Sequence, residues 1–477
     1  MVLVNGENIT IPKLVVASDA MLKVPGGMKF KNVDMRLFGS ISVTEKGYLY
    51  LGHAESGETT YFAMNATNAT ITTIGASSSY AQGQLWIASS EVGGAVSVIR
   101  RIELNGVTLD VQKYDGMYIG SNNPTNMPFE VLLEEITQEY RGYWAFCGAA
   151  TVTFRRCAFS RPAWQAWSAQ GQWNVLDAAK LIYEDTTHFY EYPDGNSVNW
   201  SPVASGTECF VLTNSTVMWT RPTGNHNGVM TVFDSFYDCA YDAYAPSQGR
   251  TLPDLLQGLG TLNIPEGSFC AIRAKDHVTW DKNDDAAERI CKIDAGVKFA
   301  GAGDLVVSNS VAGRYFEVTM QSGSNVCTGD LKVFSPEGFT TQFYFADGAN
   351  WAGTVFAGNV ALTNLTSAAS PASVTFGALD LVGNFPIRVW KENCAVTTND
   401  IVNVGTYVNS RGRLVPTLVG EGSLAVDDVI AIGRIRKNSD LPRCARGWAC
   451  AATAIDGDDE YDVLSVRKGV GFQVILR

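Results

Sequence analysis

Apolar residues return along this chain in one short arrangement: apolar–x–apolar–x–x–small or apolar–x–any. It reads Ile102, Leu104, Val107, Leu109, then Val131, Leu133, Ile136, then Val152, Phe154, Cys157, Phe159. It continues as Leu181, Tyr183, Thr186, His188, then Phe210, Leu212, Ser215, Val217, then Met230, Val232, Ser235, Tyr237. The starts are 29, 21, 29, 29 and 20 residues apart. Alternation with period two predicts strands, and a strand signature returning at this interval predicts a solenoid, in which each coil buries its apolar face only against its neighbours.

The same reading divides the chain into three. Residues 1–95 carry short strands between Gly-, Ser- and Asn-rich links, such as Tyr48–Tyr50 and Leu85–Ile87, and are expected to be a cap, an attachment region or the first coils. Residues 96–390 carry the repeat, which returns clearly at Val374, Phe376, Leu379, Leu381. Residues 391–477 read as six successive strands with tight turns, which predicts a C-terminal antiparallel β-sandwich or barrel. Gln112–Pro128, Arg161–Trp173 and Phe189–Glu208 read as insertions that leave the coils on one face. Short helices are expected only at Arg250–Leu259 and Asp284–Cys291.

Composition narrows the function. The 477 residues are 46% hydrophobic and 18% charged, with 46 glycines and a net charge of −12. Without a Lys/Arg-rich run, binding to nucleic acid through its phosphates is not expected. No run approaches eighteen apolar residues, so no membrane insertion is expected, and Met1–Asn8 lacks the basic start of a secretory signal. The ten cysteines form no zinc pattern; most are expected to be free and buried, and disulfides are the alternative, with Cys444–Cys450 the first pair to expect. The four histidines have no metal-ligand spacing, and neither a phosphate-binding loop nor a dinucleotide fingerprint is present, so neither metal nor cofactor is expected. Asp456-Gly-Asp458-Asp-Glu460-Tyr-Asp462 resembles a calcium loop, but Tyr461 and Arg467 stand where that loop needs Gly and Glu; a charged turn is expected.

The coil signature, as in Val152-Thr-Phe154-Arg-Arg-Cys157-Ala-Phe159 or Val374-Thr-Phe376-Gly-Ala-Leu379-Asp-Leu381, resembles that of right-handed parallel β-helix proteins, the superfamily of pectate-lyase-like enzymes, polygalacturonase-like hydrolases and bacteriophage tailspikes. The resemblance implies an all-β, right-handed parallel β-helix and leaves function open, because the fold carries lyases, hydrolases, adhesins and inert shafts. Likeness to tailspikes implies a parallel homotrimer.

Two constellations could carry chemistry. Between the apolar pairs lie Asn105-Gly106, Glu134-Glu135, Arg155-Arg156, Glu184-Asp185, Thr213-Asn214 and Phe233-Asp234. In register, Arg155 and Arg156 fall between two acidic pairs. That arrangement is either an ion-pair ladder at a coil corner or, with Glu134, Glu135, Glu184 and Asp185 as proton donor and base beside Arg155, a glycan-cleaving site. Trp144, Trp164, Trp167, Trp173 and Trp200 crowd the same stretch and could either stack sugar rings or pack loops and subunits. The leading expectation is a structural or receptor-binding virion protein of the tailspike or fibre kind, made in the cytoplasm and located in the virion or outside the cell. It would present a face to other virion proteins or to a cell-surface polysaccharide. A polysaccharide lyase or glycosidase on the same scaffold, or a cell-surface filament or adhesin subunit, are the alternatives.

Overall fold

The computed structural model describes residues 8–24, 28–43, 48–73, 84–87, 96–111, 116–120, 129–139, 143–147, 150–161, 173–175, 179–190, 198–219, 222–223, 226–239, 255–274, 288–310, 315–363, 372–390, 401–420, 423–425 and 428–469. Every regular element among them is a strand, and nearly all pairs are parallel, each strand bonding to the one three or two places further along the chain. This is the arrangement of a parallel β-solenoid. The chain divides into two compact units, Met1–Pro253 with Gln257–Thr261 and His277–Asp284, and Asp254–Leu256 with Leu262–Asp276 and Asp285–Arg477.

In the first unit each coil contributes three strands. One face stacks Asn8–Thr10 through Pro222–Thr223, and a second stacks Lys13–Val16 through Val229–Phe233. A third carries the four strands from Met21–Val24 to Thr108–Val111 and the five from Thr137–Glu139 to Ser235–Cys239. The apolar repeat lies in register on the second face: Ile102, Val131, Val152, Leu181, Phe210 and Met230 are successive partners. Leu104, Leu133, Phe154, Tyr183, Leu212 and Val232 form the neighbouring column, and both columns are buried. Each inward residue thus lies about 4.8 Å from its counterpart in the next coil, and the core is built from stacked like positions. The described strands before residue 95 pair in parallel with those that follow, as in Lys13–Val16 with Val33–Leu37 and Thr59–Thr67 with Val96–Asn105.

The expected insertions are partly structural. Gly116–Ile119 and Val198–Trp200, inside two of them, are strands of the first face, so each supplies a wall of its own coil. Neither expected helix forms among the described residues. Glu288–Ile293 is a strand paired with Tyr315–Met320, and Leu255–Leu259 is a turn with Leu256 at φ 59°. Tyr315–Met320, with Phe316, Val318 and Met320 buried, offers Glu288–Ile293 a strand to pair with, and pairing wins over local helix propensity.

The second unit stacks Phe269–Ala274, Asp304–Asn309, Leu331–Phe334, Asn350–Phe356, Ser373–Asp380 and Ile401–Val408 in parallel on one face. On another lie Glu288–Ile293, Tyr315–Met320, Thr340–Phe345 and Val360–Leu362, and Phe385–Trp390 pairs in parallel with Leu414–Val419. The sandwich or barrel expected from residue 391 onward is corrected here. Ile401–Val408 and Leu414–Val419 are parallel coil strands, and among the described residues only Val429–Arg436, Tyr461–Lys468 and Trp448–Ala454 form an antiparallel set; the strand expected at Phe472–Leu476 lies outside the described residues. The reason is visible in the spacing: Val402, Val404, Tyr407 repeats Val374, Phe376, Leu379, and the two sets are partners. Cys444 and Cys450 are joined in a disulfide, while the other described cysteines are free and, except for Cys291, buried.

A column of glycines marks the bend of the long strands. A Cβ on Gly329, Gly353, Gly377 or Gly405 would lie 2.0, 2.0, 1.8 or 2.4 Å from the carbonyl oxygen of Gly303, Gly329, Ala352 or Gly377. Only a residue without a side chain lets the coils close to strand spacing there.

Candidate functional site

The corner between the second and third faces of the first unit is the most regular chemical feature of the molecule. Its second residue is left-handed in seven successive coils: Asn68, Gly106, Glu135, Arg156, Asp185, Asn214 and Asp234 have φ between 46° and 60°. In that conformation the N–H of Glu135, Arg156, Asp185 and Asn214 donates to the carbonyl oxygen of Arg155, Glu184, Thr213 and Phe233, one coil on, at 2.9–3.0 Å. The backbone bond offsets part of the roughly 1–2 kcal/mol that a left-handed residue other than glycine costs.

The expected charge register holds: Glu134 pairs with Arg155, and Arg155 with Glu184. Arg155 Nε donates to Glu184 at 2.7 Å; Arg156 Nη2 donates to Glu134 at 2.6 Å and to Glu135 at 2.9 Å. Asn105 closes on Glu134 at 2.9 Å and Asn214 on Asp185 at 2.6 Å. The hydrogen bonds to Glu184 and Glu135 raise the Arg155 and Arg156 guanidinium pKa values further above their ordinary value. All four candidate carboxylates therefore have partners within the corner. Such exposed pairs contribute little to stability, and their chief effect is to make a slipped register repulsive.

Directly behind the corner runs a second ladder, inside the coil. Cys157 N–H donates to Thr186 Oγ1, Thr186 N–H to Ser215 Oγ and Ser215 N–H to Ser235 Oγ, at 3.0–3.1 Å. The hydroxyls in turn donate to the carbonyls of Glu184, Thr213 and Phe233. Small polar residues at the third repeat position are thus explained by the turn's own N–H and C=O groups. Burial pushes the Cys157 thiol up to about 11, so it stays protonated and takes part only as a thiol.

The tryptophans divide. Trp144 and Trp200 are core residues, 0% and 2% exposed, against Phe159 and Phe210, so their rings are not surface platforms. Trp173 stands in the first face beside Trp144 and one coil before Val198. Trp164 and Trp167 lie outside the described residues. His188 is buried, its Nδ1 3.3 Å from the Tyr183 hydroxyl, and desolvation lowers its pKa to about 3. At the acidic turn, Asp458 Oδ1 accepts the N–H groups of Glu460 and Tyr461 and shapes the hairpin between Trp448–Ala454 and Tyr461–Lys468.

Two surface features were not expected from sequence. On the first face Tyr50, Trp86 and Tyr118 stack across three coils, with centroids 6.0 and 3.9 Å apart and Lys29 Nζ 6.0 Å from the Tyr50 ring. The signal was an aromatic residue between two apolar ones, in Leu49-Tyr50-Leu51, Leu85-Trp86-Ile87 and Met117-Tyr118-Ile119. Their faces are spent on one another, which makes them a register device more than a sugar platform.

The second feature is a trough of about 570 Å³ in the second unit, floored by Thr375, Gly377, Asn403 and Gly405 and walled by Arg434, Arg436 and Tyr461. It arises from a slip. Ile430, Ile432 and Ile435 repeat the coil spacing, so in-register stacking would set Ile435 beside Tyr407; instead Ile435 lies opposite Val404, three residues back. The strand then pairs antiparallel with Tyr461–Lys468, and its outer residues stand beside the glycine bends.

No family model and no curated protein matches the chain.

Proposed function

We propose that the chain is a structural or receptor-binding virion protein of the bacteriophage tailspike or fibre kind. In this reading a right-handed parallel β-helix forms a shaft, the C-terminal antiparallel strands close it, and three parallel copies assemble with other virion proteins. The observation that carries the reading is the corner ladder. Glu134, Glu135, Glu184 and Asp185, the residues best placed by sequence for glycan cleavage, are hydrogen-bonded to Arg155, Arg156 and Asn214 as part of the stack. A base or nucleophile has to reach the substrate, and these groups are taken up in holding one coil to the next. What remains for function is a surface on a rigid scaffold, which suits binding to a cell-surface polysaccharide or a protein partner.

Electron microscopy of native particles labelled with an antibody to the chain tests the location, and light scattering on the purified protein tests the trimer. Label on the particle and a threefold mass are expected. A monomer that cleaves bacterial surface glycans, with cleavage lost in Glu134→Gln or Glu184→Gln, would replace the reading with the enzymatic one.

A further inference from the structure

The trough of the second unit has the makings of a ligand site, on observations independent of the corner ladder. Its lining comes from strands of successive coils about 4.8 Å apart, so it runs roughly 15 Å across the strand direction. The floor is low because Gly377 and Gly405 carry no side chain, and neither tolerates one, since a Cβ would meet the carbonyl of the preceding coil. A flat ring can therefore approach backbone directly.

The polar groups are placed and only partly spent. Asn403 Oδ1 accepts the Arg434 backbone N–H at 3.1 Å, which orients the amide and leaves its NH2 without a protein acceptor among the described residues. Arg436 pairs with Glu460 at 2.9 Å. The Arg434 guanidinium has no carboxylate within 4 Å among the described residues; its influence reaches Asp458, whose carboxylate is bonded to backbone N–H groups. In a chain of net charge −12, a guanidinium on a trough wall with no carboxylate in contact with it among the described residues is poised for an anionic group from outside. Beside it stand a half-buried tyrosine ring, an amide and the Thr375 hydroxyl.

We infer that this trough binds an acidic oligosaccharide, with the carboxylate of a uronic acid unit on Arg434. A pyranose has an apolar face for Tyr461 and ring hydroxyls for Asn403 and Thr375, and the glycine floor admits it edge to edge with backbone. Arg436, which would have to leave Glu460, supports the same carboxylate or a neighbouring unit.

The test is calorimetric titration of the full chain with three probes: an oligoglucuronate, its carboxyl-reduced neutral form, and a sulfate ester of that reduced form of the same length. Binding of the oligoglucuronate alone is expected, weakened by added salt. Arg434→Gln, at an exposed side chain, should weaken it about 10- to 100-fold, the usual worth of a charged hydrogen bond. Thr375→Trp, which fills the floor, should abolish it, with an unchanged melting curve showing that either variant is folded. Equal binding of the reduced oligomer, indifference to Arg434→Gln in a folded variant, preference for the sulfated oligomer, or no binding of any probe each overturns the inference. A trimeric, particle-bound protein that fails to bind would overturn the trough alone and leave the shaft reading standing.

Discussion

Thr186 and Ser215 occupy the same position in successive coils, and each hydroxyl completes the turn of the coil before it: the Thr186 N–H donates to Ser215 Oγ at 3.0 Å, as the Cys157 N–H does to Thr186 Oγ1. Ser215 Oγ has a second bond, to the Thr213 carbonyl at 2.8 Å, so one small side chain satisfies two buried backbone groups in two coils. Ser215→Ala leaves the Thr186 N–H buried without an acceptor, at a cost of about 1–3 kcal/mol. Ser215→Thr keeps the hydroxyl and should cost less than half of that. The rate of unfolding in denaturant orders the two variants, and equal rates would show that the inner ladder contributes nothing.

Glu135 is left-handed at φ 54°, a conformation that glycine adopts freely and a β-branched residue resists. Glu135→Val should destabilise the first unit by about 1–2 kcal/mol. Glu135→Gly should be near neutral, since relief of backbone strain offsets the lost hydrogen bond from Arg156. Denaturant midpoints measured side by side separate strain from charge, and equal loss in both variants would assign the effect to the ion pair.

Glycines of the second unit differ in what they tolerate. Gly377→Ala sets a methyl group 1.8 Å from the Ala352 oxygen, which the stack accommodates only by separating coils; a loss of about 3 kcal/mol or more is expected. Gly358→Ala meets nothing closer than the Val382 methyl at 3.6 Å and should change stability by less than about 0.5 kcal/mol. Thermal unfolding of the two variants checks the contrast.

Burial lowers the pKa of His188 to about 3 and that of His226 to about 4, while both titrate near 6.5 in the unfolded chain. Between those values the unfolded state binds the extra protons, so stability is complete above pH 6.5 and falls as pH drops toward 4 and then 3. Each histidine weakens the folding equilibrium by up to about tenfold per pH unit across its window. Unfolding rates measured from pH 7 to pH 4 should rise, and His188→Phe should flatten that dependence. A pH-independent rate would mean that water reaches these rings.

The coil register could be read from spacing alone because stacked coils repeat their inward positions: Ile102, Val131 and Val152 are partners as their spacing requires. The alternation of Glu134, Arg155 and Glu184 was legible for the same reason. What spacing could not reveal is direction: Trp144 and Trp200 sit in strands short enough to pass for loop, and their burial depends on neighbouring coils. The C-terminal strands read as an antiparallel set because they follow one another closely with tight turns between, although the apolar spacing around Gly405 matches that around Gly377 and marks a coil strand. The trough was invisible, since it follows from a register slip that the sequence pattern argues against.

That slip also interrupts the repeat. A parallel coil presents the next copy with the same pattern of donors and acceptors that its predecessor presented to it, and such an edge invites further growth. Here Ile435 is displaced against Val404, and two antiparallel strands follow, the last of them Trp448–Ala454 with Cys450 tied to Cys444. Trp448–Ala454 runs in the direction of the coil strands again, but its place is set by a hairpin and not by the coil repeat, so the columns of stacked like residues do not continue through these strands.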